Sequence, residues 1–91
     1  MNTYRPHPDV VCREIEGEAV LLHLGTGIYF GLNVVGTRIW QLLEAAQDAP
    51  AIVDTLAAEF DAERETIARD VGELLDALAA RQLILAKDTA T

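Results

Sequence analysis

Cys12, His7, His23 and the carboxylates are the side chains in this sequence able to do nucleophilic, acid–base or metal chemistry. Cys12 and His23 fall on two successive runs of strand character, so neighbouring strands can bring a thiol beside an imidazole, the makings of an activated nucleophile. A short sheet gives such a pair no cleft, and the apolar run around Cys12 reads more simply as burying it as a small hydrophobe. A lone cysteine excludes an internal disulfide and a multi-cysteine zinc site. His7 lies in a proline-flanked segment and His23 mid-strand, without other ligands at metal spacing. The chain has no serine. Glu14, Glu16 and Glu18 flank a turn, while Glu59, Asp61, Glu63 and Glu65 crowd a connection between helices; both groups read as solvated charge. Gly25-Thr26-Gly27 leads into a strand, not a helix, and lacks the spacing of a phosphate loop. The expectation is a non-catalytic protein without metal or cofactor.

The elements that carry these residues follow from hydrophobic period. Met1 to Asp9, with Pro6 and Pro8, reads as a flexible N-terminal arm. Val10–Ile15, Ala19–Leu24 and Ile28–Leu32 read as three strands separated by Glu16-Gly17-Glu18 and Gly25-Thr26-Gly27, an antiparallel meander. At Asn33, a preferred N-cap, the period shifts from 2 to 3.6. Gly36, Ile39, Trp40 and Leu43 mark a first helix; Asp48-Ala49-Pro50 opens a second, with Ile52, Val53, Leu56, Ala57 and Phe60 inward. A third spans about Glu63 to Gln82, with Ile67, Val71, Leu74, Leu75 and Leu78 inward. The predicted class is α+β: a winged helix-turn-helix in which a three-stranded antiparallel sheet precedes three helices. The predicted domain covers 10–86, and 87–91 reads as a frayed tail.

Charge narrows the partners. With 15 acidic against 7 basic residues, the net charge is −8, and no two basic residues are adjacent. Neutralising nucleic-acid phosphates or an anionic membrane needs clustered Lys and Arg, so both are disfavoured. No run approaches the ~18 apolar residues of a membrane span, and Met1 to Pro8 lacks a signal-peptide core, which points to the cytoplasm.

What remains is backbone chemistry. The third strand leads straight into the first helix and is the predicted free edge, able to take a guest peptide as an added strand.

The run from Gly27 through Tyr29-Phe30-Gly31-Leu32-Asn33, Gly36 and Ile39-Trp40 to Leu43 is similar to the PqqD family. So are Leu56-Ala57-Ala58-Glu59-Phe60-Asp61, Asp70-Val71, Leu74 to Leu78 and the closing Arg81-Gln82-Leu83-Ile84, which together cover about residues 10 to 85. Arg64 and Gln82 stand where many members have Pro and Gly. The resemblance implies a non-catalytic recognition element that holds the leader of a ribosomally made precursor peptide between the third strand and third helix. It would then present the core of that peptide to a modifying enzyme: a radical SAM enzyme in pyrroloquinoline quinone synthesis, or a leader peptidase in lasso-peptide synthesis. Carried onto this chain, the peptide-binding residues are Ile28, Tyr29, Phe30, Gly31 and Leu32 on the strand. On the helix they are Ile67, Arg69, Val71, Leu74, Leu75 and Leu78. Tyr29 is assigned to the pocket, with Phe30 and Leu32 in the core, although alternation also permits the reverse. Arg69 and Arg81 would meet acidic leader residues. The competing readings are a winged-helix transcription regulator, which the acidic third helix opposes, and a plain structural subunit.

Overall fold

The computed structural model describes residues 2–88, with side chains for 3–86. Strands β1 (Asn2–Pro6), β2 (Val10–Ile15), β3 (Glu18–His23) and β4 (Tyr29–Gly31) precede helices α1 (Val34–Glu44), α2 (Ala49–Phe60) and α3 (Arg64–Ala80); β5 (Ile84–Asp88) closes the order. β2, β3 and β4 form the expected antiparallel sheet with β3 central, and β1 and β5 form a separate antiparallel pair. The fold is α+β, with three helices and two antiparallel sheets among the described residues.

The β1–β5 pair corrects the expected flexible arm. Asn2–Pro6 runs alongside Ile84–Asp88, with Tyr4 opposite Ala86 and Pro6 opposite Ile84. Pro6 is tolerated because a two-stranded ribbon has only edge strands. Leu83 and Ile84 are buried, and Tyr4 packs against the same core, so the apolar segment after α3 recruits the N-terminal residues as cover. Lys87 and Asp88, expected in a frayed tail, belong to β5; 89–91 lie outside the described residues.

Local chemistry sets the boundaries. Glu16 and Gly17, with φ of 53° and 83°, make the two-residue turn between the paired Ile15 and Glu18, as a type I′ hairpin requires. The Asn33 side chain accepts the Gly36 N–H at 2.8 Å, and Asp48 accepts that of Ala51 at 3.0 Å, capping α1 and α2. α1 and α3 end in left-handed residues, Ala46 (φ 63°) and Gln82 (φ 58°). After Gln82 the Leu83 N–H bonds back to the Leu78 carbonyl at 2.9 Å, a Schellman closure that sends the chain into β5.

Both departures from the family pattern thereby find a place. Gln82 occupies the position where glycine is least strained. Arg64 is the first residue of α3, where proline fits without losing a helical hydrogen bond, and instead forms an ion pair with Asp54 of α2.

The core lies between β3, the inner stripes of the helices and Leu83-Ile84. On β3, Ala19, Leu21 and His23 point inward while Val20 points out. α1 is fixed to β3 by the buried Thr37, whose Oγ1 accepts the Ala19 N–H at 2.8 Å. Arg38 joins α1 to α2 through a two-pronged contact with Glu59, Nε to Oε1 at 2.9 Å and Nη2 to Oε2 at 2.8 Å. Two residues depart from the inward placement expected of them. Cys12 is exposed because β2 is the border strand that the helices leave uncovered, and Phe60, at the last turn of α2, is 40% exposed.

Replacing Thr37 with Val keeps the shape but strands the buried Ala19 N–H, and urea unfolding should report a loss of about 1–3 kcal/mol. Gln82→Gly relieves the left-handed strain at an exposed site and should raise stability by about 0.5–1 kcal/mol in the same assay.

Candidate functional site

Among the described residues, strand β4 meets another strand on one side only. Toward β3, the Ile28 carbonyl accepts the His23 N–H at 2.8 Å and the Leu32 N–H donates to the Ala19 carbonyl at 2.7 Å, with Phe30 opposite Leu21 between them. In an antiparallel ladder, bonding direction alternates from residue to residue, so the N–H and C=O groups of Tyr29 and Gly31 face the open side. This border is held in place from within. His23 is 4% exposed, and its Nδ1 accepts the N–H groups of Gly25 (3.0 Å) and Thr26 (3.2 Å). Gly27, at φ 77°, completes the turn that returns the chain as β4.

Beside the open border lies a groove of about 460 Å³. One wall is Phe30, Gly31, Leu32 and Asn33; Val35, Gly36 and Ile39 of α1 form the floor; Asp70, Glu73 and Leu74 of α3 form the far wall. At its end the Arg81 guanidinium sits over the Phe30 ring, 5.1 Å from the centroid. A Cβ at Gly36 would come within 3.2 Å of Leu32 Cδ2 and 3.3 Å of Asn33 Oδ1, so glycine lets the start of α1 sit close under the strand.

The structure gathers some of the predicted residues here and withdraws others. Phe30, Gly31, Leu32 and Leu74 line the groove. Ile67, Val71, Leu75 and Leu78 are buried in the core, where they hold α3 in position and are not part of the groove's lining. Arg69 is exposed and outside the lining. Phe30 shares the inner face with Leu21 and packs against the core, where Leu32 is buried, as expected of both; Tyr29, paired with Leu22 and 73% exposed, lies with Gly31 on the outer face. Ile28, 40% exposed, precedes the strand. Sequence reasoning drew the helix side of the groove from Ile67, Val71, Leu74, Leu75 and Leu78; of these Leu74 lines it, and the other four are core residues. The groove takes the adjoining stripe, Asp70, Glu73 and Leu74, which the i, i+3, i+4 spacing places on one face.

The other reactive groups are set apart from this site. His23 Nδ1 is occupied by two backbone donors, and Cys12 makes no hydrogen bond to it. Partial burial, then the negative charges of Glu44 and Glu14, push the Cys12 thiol above its ordinary pKa. The hydrogen bonds between Arg38 and Glu59 hold the Glu59 carboxyl below the usual range and the guanidinium above its own. Among the described residues no three His, Cys, Asp or Glu side chains are grouped to hold a metal ion. No described helix is long and apolar enough to cross a membrane.

An α+β chain with a free strand border facing a helix across a groove of mixed apolar and acidic lining is the class defined by these elements. Residues 18–84 match the family of coenzyme PQQ synthesis protein D, PqqD, and the chain belongs to that family. A PqqA binding protein of Rhodopseudomonas palustris is 40% identical over 57 residues, a match covering 62% of this chain and 56% of the relative's length. The structure of TbiB1 in complex with the TbiA(beta) leader peptide is similar at 46% identity and a TM-score of 0.84, covering 88% of this chain and 93% of the other. Lasso peptide synthetase B1 complexed with the leader peptide is similar at 25% identity and a TM-score of 0.82, with coverage of 91% and 98%.

Iodoacetamide should label Cys12 at pH 8 more slowly than it labels an unstructured cysteine peptide, since less thiolate is present. Equal or faster labelling would contradict the raised pKa.

Proposed function

We propose that this protein binds the leader segment of a ribosomally made precursor peptide along the open border of β4 and presents the remainder to a modifying enzyme. The observation that carries this reading is the outward-facing backbone of Tyr29 and Gly31 beside a groove walled by apolar Phe30, Leu32 and Leu74 and by acidic Asp70 and Glu73. Two similar structures are complexes with leader peptides, and the curated relative is named for binding PqqA. PqqD-like proteins are recognition elements and not catalysts, and the groove of this chain joins open backbone groups to apolar Phe30, Leu32 and Leu74 and the carboxylates of Asp70 and Glu73.

The guest adds a strand. Four backbone groups on Tyr29 and Gly31 contribute about 0.5–1.5 kcal/mol per bond, and apolar guest side chains contacting the half-buried Phe30 and Leu74 add burial. After the cost of ordering the guest, roughly micromolar affinity is the expected scale. The enzyme that receives the peptide is of the leader-peptidase or radical SAM kind, acting in the cytoplasm. β1 and β5 belong to the binding unit together with the predicted 10–86, and α2 and α3 with their sheet make the winged-helix arrangement. The acidic exposed face of α3, with Glu65, Asp70, Glu73 and Asp76, disfavours DNA as the ligand.

Gly31→Pro removes an outward N–H and leaves the β3 ladder intact. In a variant whose circular dichroism and melting match the parent, leader binding measured by fluorescence anisotropy should drop at least tenfold. Wild-type affinity in that folded variant would sink the strand-addition reading. With leader bound, amide exchange should slow at Tyr29 and Gly31 more than at Phe30, whose N–H is already paired with β3.

A further inference from the structure

Resting on the leader-binding reading, we infer that the groove selects leaders carrying a Lys or Arg on the N-terminal side of their apolar anchor, held by Asp70 and Glu73. Both carboxylates line the groove; Arg81 stands at its Phe30 end, and no basic side chain is among the described residues lining it. Neither carboxylate makes a hydrogen bond or ion pair with another described residue. Elsewhere Glu59 and Asp54 are matched to Arg38 and Arg64. The acidic pair in the groove is the one set against the apolar surface where a guest would lie.

The far wall is also polarised along its length. Asp70, Glu73 and Leu74 follow one face of α3, and Arg81 stands at its C-terminal end over Phe30. At about 1.5 Å per residue, Asp70 and Arg81 are roughly 16 Å apart along the axis, about the span of five strand residues. Because Arg81 meets Phe30, the acidic end lies toward Leu32, Asn33 and Gly36, the end at which β4 leaves the sheet.

Both ladders of this sheet are antiparallel, the slightly more stable pairing. A guest that continues the pattern runs from the acidic end to the Arg81 end. Its basic residue therefore precedes the apolar side chain seated against Phe30 and Leu74. Turned around, the same peptide would set its cation beside Arg81, so charge fixes direction as well as partner. The net charge of −8 favours capture of such a peptide over long range as well.

The test uses a displayed library of random twelve-residue peptides selected on the immobilised full chain and on Asp70→Lys/Glu73→Lys. Both residues are exposed, so the double variant should fold, as circular dichroism will verify. Wild type should enrich Lys or Arg on the N-terminal side of an apolar residue, and the variant should replace them with Asp or Glu at the same offset. For a peptide selected on wild type, Asp70→Asn with Glu73→Gln should weaken binding about 3- to 10-fold, and changing the peptide's basic residue to Gln should remove that difference. Apolar enrichment without charge bias, or basic residues only C-terminal to the anchor, overturns this inference and leaves strand addition standing. No enrichment of any peptide on folded wild type overturns both.

Discussion

A strand at the border of a sheet carries backbone donors and acceptors that water alone satisfies, and most proteins blunt or cover such a border. Here β4 keeps it open, and the remaining architecture explains why it neither collapses nor closes. Ile67, Val71, Leu75 and Leu78 lock α3 into the core along one stripe, so the helix cannot roll its neighbouring stripe onto the strand. Thr37 pins α1 to β3 from below. The gap between strand and helix is therefore a property of two rigid attachments. It needs no special residue inside it.

His23, which looked like a candidate for chemistry, turns out to be structural, as do the polar side chains at other key positions. His23 shapes the turn that delivers β4, Thr37 satisfies a buried amide, and Asn33 and Asp48 start helices. Each sits where a backbone group would otherwise lack a partner, and each is engaged by that partner. A protein that works through its main chain has reason to spend its polar side chains on holding that main chain still.

Much of this was legible in the sequence because it is encoded locally. Val10–Ile15 emerged with its observed bounds, the cap at Asn33 was read from residue type, Pro50 marked the start of α2, and three helices followed from their periods. The open border could be argued from connectivity alone. What escaped was encoded at long range or between faces. Pro6 and Pro8 marked the N-terminal segment as irregular, and nothing nearby announces that Ile84–Asp88 waits for it across the whole chain. Cys12 sits in a run as apolar as its neighbour, yet only β3 lies under the helices. On α3 the apolar period identifies the core stripe correctly, and the groove takes the mixed stripe beside it, where Asp70 and Glu73 read as ordinary surface charge until Leu74 is seen to share their side.

The pairing of Asn2 with Asp88 brings the two ends of the described chain side by side. A fused segment entering or leaving at either end starts from one corner of the molecule, so appending a neighbour before residue 2 or after residue 88 would set it at nearly the same place. A short linker could likewise join the ends, and reopening the loop at the exposed Glu16-Gly17 hairpin would yield a circularly permuted protein in which β4, α1 and α3 keep their order.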